Sequence, residues 1–278
     1  MARLLRSLTY RLTGLLIHWL LRPVLGQRAY QSLFDQLHQV SLRGLNYGAW
    51  DFRTSGELPV LAYVSDQLAR RGVLAPILID AGANVGAYAG ELLAALPKLQ
   101  QLHLFEPSAS CQPTLQAKFA ARPEVQIHAL GLSDKVGLGL LHYDQAQSGL
   151  ASVHPRGGAH LSFRLAQTET IGFTTLDQFC ADHQLAHIHF LKLDVEGHEL
   201  AVLKGAQDLL SRGSIDFIQF EFGGANLDAR TQWQDFFYLL QPNFSLFRVV
   251  NDGLWPIEQY RETDEIFTTV NFLAQRRT

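Results

Sequence analysis

The segment Ile77-Leu78-Ile79-Asp80-Ala81-Gly82-Ala83-Asn84-Val85-Gly86 constrains the fold of this chain more than any other. Its aliphatic run reads as a strand covered on both faces, which is how strands of a parallel sheet are buried. Gly82 then lets the backbone turn sharply, and Gly86 opens a helical periodicity that runs to Leu96 and stops at Pro97. A strand feeding a glycine-rich turn and then a helix is the opening unit of an open α/β sheet. Such sheets bind ligands at the carboxyl ends of their strands.

The alternation continues downstream. Residues 102–105, 125–130, 189–193, 215–222 and 245–250 read as strands, with helices over 110–121, 175–183, 199–210 and 229–240. Residues 270–274 read as a last strand, suited to an antiparallel edge hairpin. The pattern predicts a Rossmann-like α/β fold: a mostly parallel, seven-stranded sheet flanked by helices. Residues 136–174 interrupt it with strands at 136–143 and 168–174 around a Gly-, Ser- and Pro-rich loop, 145–160, taken as an insertion near the site. Ahead of the sheet, residues 1–45 and 59–70 read as helical. The expected organisation is a helical N-terminal extension, 1–75, and an α/β domain, 76–278, with no internal repeat.

Composition narrows the partners. The net charge is -3, so no global basic field favours nucleic acid. Cys111 and Cys180 stand far apart, outside any metal-ligand spacing, which argues against a disulfide framework and for a reducing, cytoplasmic setting. Residues 1–28 are the exception: they hold Arg3, Arg6, Arg11, Arg22 and Arg28, no acid, and the apolar run 15–21. That run is too short to span a bilayer, which takes roughly 20 apolar residues. Two readings stay open: an amphipathic helix packed on the domain, or a basic helix in peripheral contact with an anionic membrane.

Several places carry candidate chemistry. Asp80, Gly82, Asn84 and Gly86 form the turn after the first strand. Asn84 stands where a dinucleotide fingerprint usually keeps glycine, which disfavours NAD, and no Gly-Lys-Ser/Thr follows, which excludes a P-loop. Glu106 ends the second strand, where a carboxylate accepts hydrogen bonds from a ribose. Ser133 and Asp134 follow the third strand, beside the expected adenine position. Asp194, Glu196, His198 and Glu199 crowd the end of a central strand, where charges are seldom placed without a partner or a function. Capping of the next helix is the structural alternative there. Glu221, between Phe220 and Phe222, could meet a substrate or pair with Lys192. His154 and His160, in the insertion, could serve as bases. Trp50, Trp233 and Trp255 read as core or pocket wall.

On these residues the chain resembles the FkbM family of methyltransferases. The match runs from residues 79–86 through Phe105-Glu106-Pro107, Leu132-Ser133-Asp134 and Thr175-Leu176-Asp177 to residues 191–199 and Leu203-Lys204-Gly205-Ala206, covering roughly 76–275. The resemblance implies a class I methyltransferase fold and S-adenosylmethionine as cofactor. It also implies O-methylation of a hydroxyl on a sugar, glycan or secondary metabolite. Asp80, Gly82, Asn84 and Gly86 would then line the methionine moiety, Glu106 the ribose, and Ser133 and Asp134 the adenine. Asp194 and Glu196 would be catalytic, as bases or as Mg²⁺ ligands, with Glu221 and His198 toward the acceptor. Two alternatives remain: an NAD-dependent oxidoreductase, and a non-catalytic partner in a glycan assembly complex.

Overall fold

The apolar runs form strands in the computed structural model of the chain. It describes residues 2–49, 51–157 and 161–277, with side chains from Leu12 onward. Trp50 and His160 lie outside the described residues. Met1–Leu45 and Asn46–Thr278 are separate compact units. The first holds α1 (Ala2–Leu21) and α2 (Gln31–Gly44). The second begins with α3 (Glu57–Arg70), β1 (Ile77–Ala81), α4 (Ala87–Ala95), β2 (Gln101–Phe105), α5 (Gln112–Phe119) and β3 (Val125–His128). Then come β4 (Gly131–Leu132), β5 (Gly137–Tyr143), β6 (Gln167–Thr174), α6 (Leu176–Asp182), β7 (Ile188–Leu193), α7 (Glu199–Lys204), α8 (Gln207–Ser211) and β8 (Ile215–Phe222). α9 (Gly224–Ala229), α10 (Trp233–Leu240), β9 (Phe244–Val250), β10 (Gly253–Ile257) and β11 (Val270–Arg276) complete it.

The main sheet has the order β10-β9-β11-β8-β7-β1-β2-β3. β3, β2, β1, β7 and β8 run parallel, while β11 is antiparallel to both β8 and β9. This is the Rossmann-like class I arrangement, with eight strands where the sequence led us to expect seven. The eighth, β10, pairs with β9 through a two-residue turn at Asn251-Asp252. β11 is not the edge strand expected of residues 270–274. Val270 to Ala274 are all buried, so this run is covered on both faces and belongs inside the sheet. On β10, Leu254 packs against the core and Trp255 points away and is 54% exposed, which corrects its reading as core or pocket wall. Trp233 is buried as expected, stacked on Phe272 at 4.0 Å between centroids.

The helix read over 199–210 is broken, and the one read over 229–240 starts only at Trp233, after a separate helix, α9. Gly205 separates α7 from α8 because its α-carbon lies against the Ser133 carbonyl, where a β-carbon would come within 2.0 Å. α9 ends at Arg230, which is left-handed (φ 56°), before α10 starts a new turn. The interrupted region, 131–174, forms a second sheet of order β4-β6-β5.

Candidate functional site

Sheet register assembles the site. Ala81 is level with Phe105 on β2 and with Leu193 on β7, and Leu193 is level with Phe220 on β8. Gly82, Glu106 and Asp194, just beyond the ends of β1, β2 and β7, and Glu221, near the end of β8, therefore share the carboxyl edge of the sheet. Backbone bonds continue past the strands: Gly82 donates to Phe105 O at 2.9 Å and Asp194 donates to Ala81 O at 2.9 Å. Gly82 has φ 86°, and a β-carbon there would lie 1.8 Å from the Asp194 carbonyl, so only glycine fits. Gly86 sits at the start of α4.

A cavity of about 420 Å³ opens along this edge, a size usual for small-molecule sites. Gly82, Asn84, Phe105 and Glu106 wall one side, and Asp194, Glu196 and His198 the other. Leu141, Ile171 and Phe173 of the second sheet, with Ser148 and Ala151 of the loop between β5 and β6, complete the lining. The insertion thus covers the site, as expected. Gly131 and Leu132 border the cavity, with Ser133 and Asp134 behind them: Ser133 is buried and Asp134 exposed. Asn84 adopts φ 47°, a left-handed state that asparagine tolerates. Its N–H donates to Glu106 Oε2 at 2.8 Å, and its Nδ2 donates to the Ser148 carbonyl at 2.9 Å, tying the turn to the insertion. Glu106 Oε1 accepts from Ser108 N at 2.8 Å, and burial raises the Glu106 pKa.

The acids divide their roles. Glu199 Oε1 accepts from the amides of Val195 and Gly197, at 3.0 and 3.1 Å. Loop capping thus falls to Glu199, which is buried and does not face solvent, and Asp194 and Glu196 are left to the cavity. Glu196 has φ 50°, a strained conformation of the kind that clusters at functional sites. One oxygen each of Asp194, Glu196 and Glu221 lies within 4.8 Å of the others. Burial and then Asp194 push Glu196 up to about 8, against the pull of Arg156. Burial, then Asp194 and Glu196, hold Glu221 well above the carboxylate range. Burial raises Asp80 and Glu199 to about 7 each, and one oxygen of each has no hydrogen-bond partner.

Lys192 counters this charge. Its Nζ lies 3.1 Å from Glu57 Oε2 and 3.3 Å from Asp194 Oδ2, and donates to Asn271 Oδ1 at 3.1 Å. Burial opposes the lysine's charge, but Asp194 and Glu57 outweigh it and its pKa rises. Gln219 donates to Glu57 Oε2 at 2.6 Å and accepts from the Tyr88 hydroxyl at 2.9 Å. The partners of Lys192 are thus Glu57 and Asp194, where the sequence had suggested Glu221. Glu57 had no sequence signal, since an acid in the first turn of a helix is ordinary. Arg156 was also missed. Its NH1 reaches Glu196 Oε2 at 2.8 Å and its Nε reaches Asp228 at 3.3 Å, pinning the insertion over the site. Beside it, His198 Nε2 meets Ser133 Oγ at 2.9 Å and His198 Nδ1 meets His154 Nε2 at 3.2 Å. Burial and then His154 lower His198 to about 4.

These shifts predict a pH dependence of stability. Folded Asp80 and Glu199 hold protons up to about pH 7 and Glu196 up to about 8. Unfolded carboxyls release theirs near pH 4. A carboxyl pKa raised by folding stabilises fully below the unfolded value, and the contribution is lost as pH climbs through the folded one. His103, His128 and His198, lowered to about 4 chiefly by burial, act oppositely, but their contribution is complete above about 6.5. Between pH 6.5 and 8.5 only the carboxyls are left, so the Tm of the ligand-free protein should fall by roughly a few degrees. Glu199→Gln should flatten the slope. A Tm that rises across this window would contradict the account.

Three similarities accompany this geometry. The chain is 26% identical over 180 residues to the AMB antimetabolite synthetase AmbE of Pseudomonas aeruginosa, a match covering 52% of this chain and 8% of that protein. The structure of methyltransferase FkbM from Methylobacillus flagellatus aligns with TM-score 0.44 and 16% identity, over 71% of this chain and 43% of that one. SMU.1697c of Streptococcus mutans, solved in complex with SAH, aligns with TM-score 0.41 and 12% identity, over 77% and 95% of the two chains. The chain therefore spans less than half the length of the first two. The model of the methyltransferase FkbM domain matches residues 80–252, more than half of the sequence, and the chain belongs to the FkbM methyltransferase family.

Proposed function

We propose that this protein is an S-adenosylmethionine-dependent O-methyltransferase acting on a hydroxyl of a sugar, glycan or secondary metabolite. One observation carries the reading: a single cavity has Glu106 on one wall and the Asp194–Glu196 pair on the other, with the Gly82 turn between them. The residues present fit the cofactor. Each Glu106 oxygen accepts only one backbone N–H, so both keep a lone pair for ribose hydroxyls. Phe105, Leu132 and Leu141 offer apolar surface for a base. Asp80, with an unpartnered buried oxygen, and the 82–86 turn would hold the amino-acid end, and Ser133 and Asp134 the adenine side. S-adenosylmethionine, when bound, supplies an electrophilic methyl group.

The remaining work falls to the acids. Asp194, with Lys192 as counter-charge, accepts a hydrogen bond from the acceptor hydroxyl and orients it. Glu196, whose pKa burial and Asp194 push up to about 8, takes the proton in its deprotonated form as the oxygen attacks. His198 borders the acceptor end, and Glu221 stands behind the two acids, with an oxygen within 4.8 Å of one oxygen of each. A net charge of -3 and crowded carboxylates at the site disfavour a nucleic-acid acceptor. The likeness to an antimetabolite synthetase supports a secondary metabolite within the acceptor classes. A second reading rests on the closeness of Asp194, Glu196 and Glu221, a donor set suited to Mg²⁺. Turnover that survives EDTA favours the first reading, and turnover restored only by Mg²⁺ favours the second.

Calorimetry with S-adenosylhomocysteine tests the cofactor. Wild type should bind, and Glu106→Ala should bind roughly 100-fold more weakly, since two charge-assisted hydrogen bonds are lost. Circular dichroism would establish that the variant is folded. Failure of folded wild type to bind, or binding of NADH in its place, would remove the methyltransferase reading. Binding without turnover on any hydroxylated acceptor would favour the non-catalytic glycan-assembly partner.

A further inference from the structure

Within the first compact unit, the apolar face of α1 has no cover. Leu12, Leu15, Leu16, Trp19 and Leu20 are 57–69% exposed. Their spacing, i, i+3, i+4, i+7 and i+8, places them on one stripe of the helix. α2 adds Leu33, Leu37 and Val40, also exposed and at helical spacing. Apolar residues exposed in such number mark an interaction surface.

The charge pattern selects the occupant. Residues 1–28 carry Arg3, Arg6, Arg11, Arg22 and Arg28, and the first acid in the sequence is Asp35. The whole chain nevertheless has a net charge of -3, so the sequence concentrates positive charge in the segment that also carries the apolar stripe. A protein surface that accepted the leucines would not need five arginines. An anionic lipid surface satisfies both, taking the leucines and Trp19 at the acyl boundary and the guanidinium groups among its phosphates. Among the described residues no helix is long and apolar enough to cross a membrane. The helix must therefore lie in the interface plane.

We propose that residues 1–28 dock this protein on an anionic phospholipid bilayer, with α1 lying along its surface. The test is flotation of the full chain with vesicles of phosphatidylcholine, alone and mixed with phosphatidylglycerol. Binding to the mixed vesicles should be at least roughly ten-fold tighter and should weaken as salt is raised. Trp19→Asp should abolish it through the apolar stripe. Arg22→Glu with Arg28→Glu, both at exposed positions, should weaken it through charge. Equal binding to both vesicles, or binding unchanged in either variant, would overturn the proposal. So would a concentration-dependent dimer, lost in Trp19→Asp, in a protein that does not float.

Discussion

Asp194→Asn is expected to lower methyl transfer by about 10²–10⁴-fold while S-adenosylhomocysteine binding changes little. Asparagine keeps the shape and removes the charge. The Asp194 side chain is 39% exposed, and Lys192 keeps Glu57 and Asn271 as partners, so the fold should tolerate the change. The variant also carries a pH signature. Asp194 is the charged neighbour that raises Glu196 most, so its neutralisation should shift the rising limb of the residual activity to lower pH. Near-normal turnover would end the assignment. Loss of cofactor binding together with turnover would move Asp194 to the cofactor side.

Lys192→Ala should cost about 3–5 kcal/mol of stability, the usual penalty for stripping one partner from a buried ion pair. Lys192 and Glu57 are only 2% and 5% exposed in their side chains, and the lost ammonium would leave Glu57 charged and buried. Gln219 would still donate to Glu57, which softens the loss without removing it. Replacing both partners, Lys192→Met with Glu57→Leu, should recover most of the stability, because an apolar pair has no charge to desolvate. Urea unfolding of the two variants reads the difference. A loss under about 1 kcal/mol in Lys192→Ala would mean that water or a neighbour compensates the carboxylate.

What was legible in the sequence was whatever a short stretch of chain encodes by itself. The β1 turn, Glu106 after β2 and the acids after β7 each follow an apolar run, and parallel register lines up such endings. The insertion, too, announced itself as a break in alternation. Residues whose meaning depends on distant parts of the chain were not legible. Glu57 reads as an ordinary first-turn acid until Lys192 is seen opposite it. Glu199 reads either as a solvent-facing residue or as one that holds the loop, and the choice is made only when the loop amides close on it. Arg156 sits in a Gly- and Pro-rich loop with no periodicity, and its partners Glu196 and Asp228 come from separate elements. The Asn251-Asp252-Gly253 turn joins β9 to β10, a strand not read from the sequence, and Pro256 stands within β10. At the sheet edge a proline is tolerated.

The Lys192 network also bears on where this domain can be cut. Glu57 precedes the family-matched stretch 80–252 and Asn271 follows it, yet both hold the ammonium at the middle of the sheet. Sequence likeness therefore marks out less chain than electrostatics requires. A fragment trimmed to the matched stretch would carry a buried lysine stripped of two of its three partners. The self-sufficient piece extends at least from Glu57 through Asn271, a limit set by one cation's need for company.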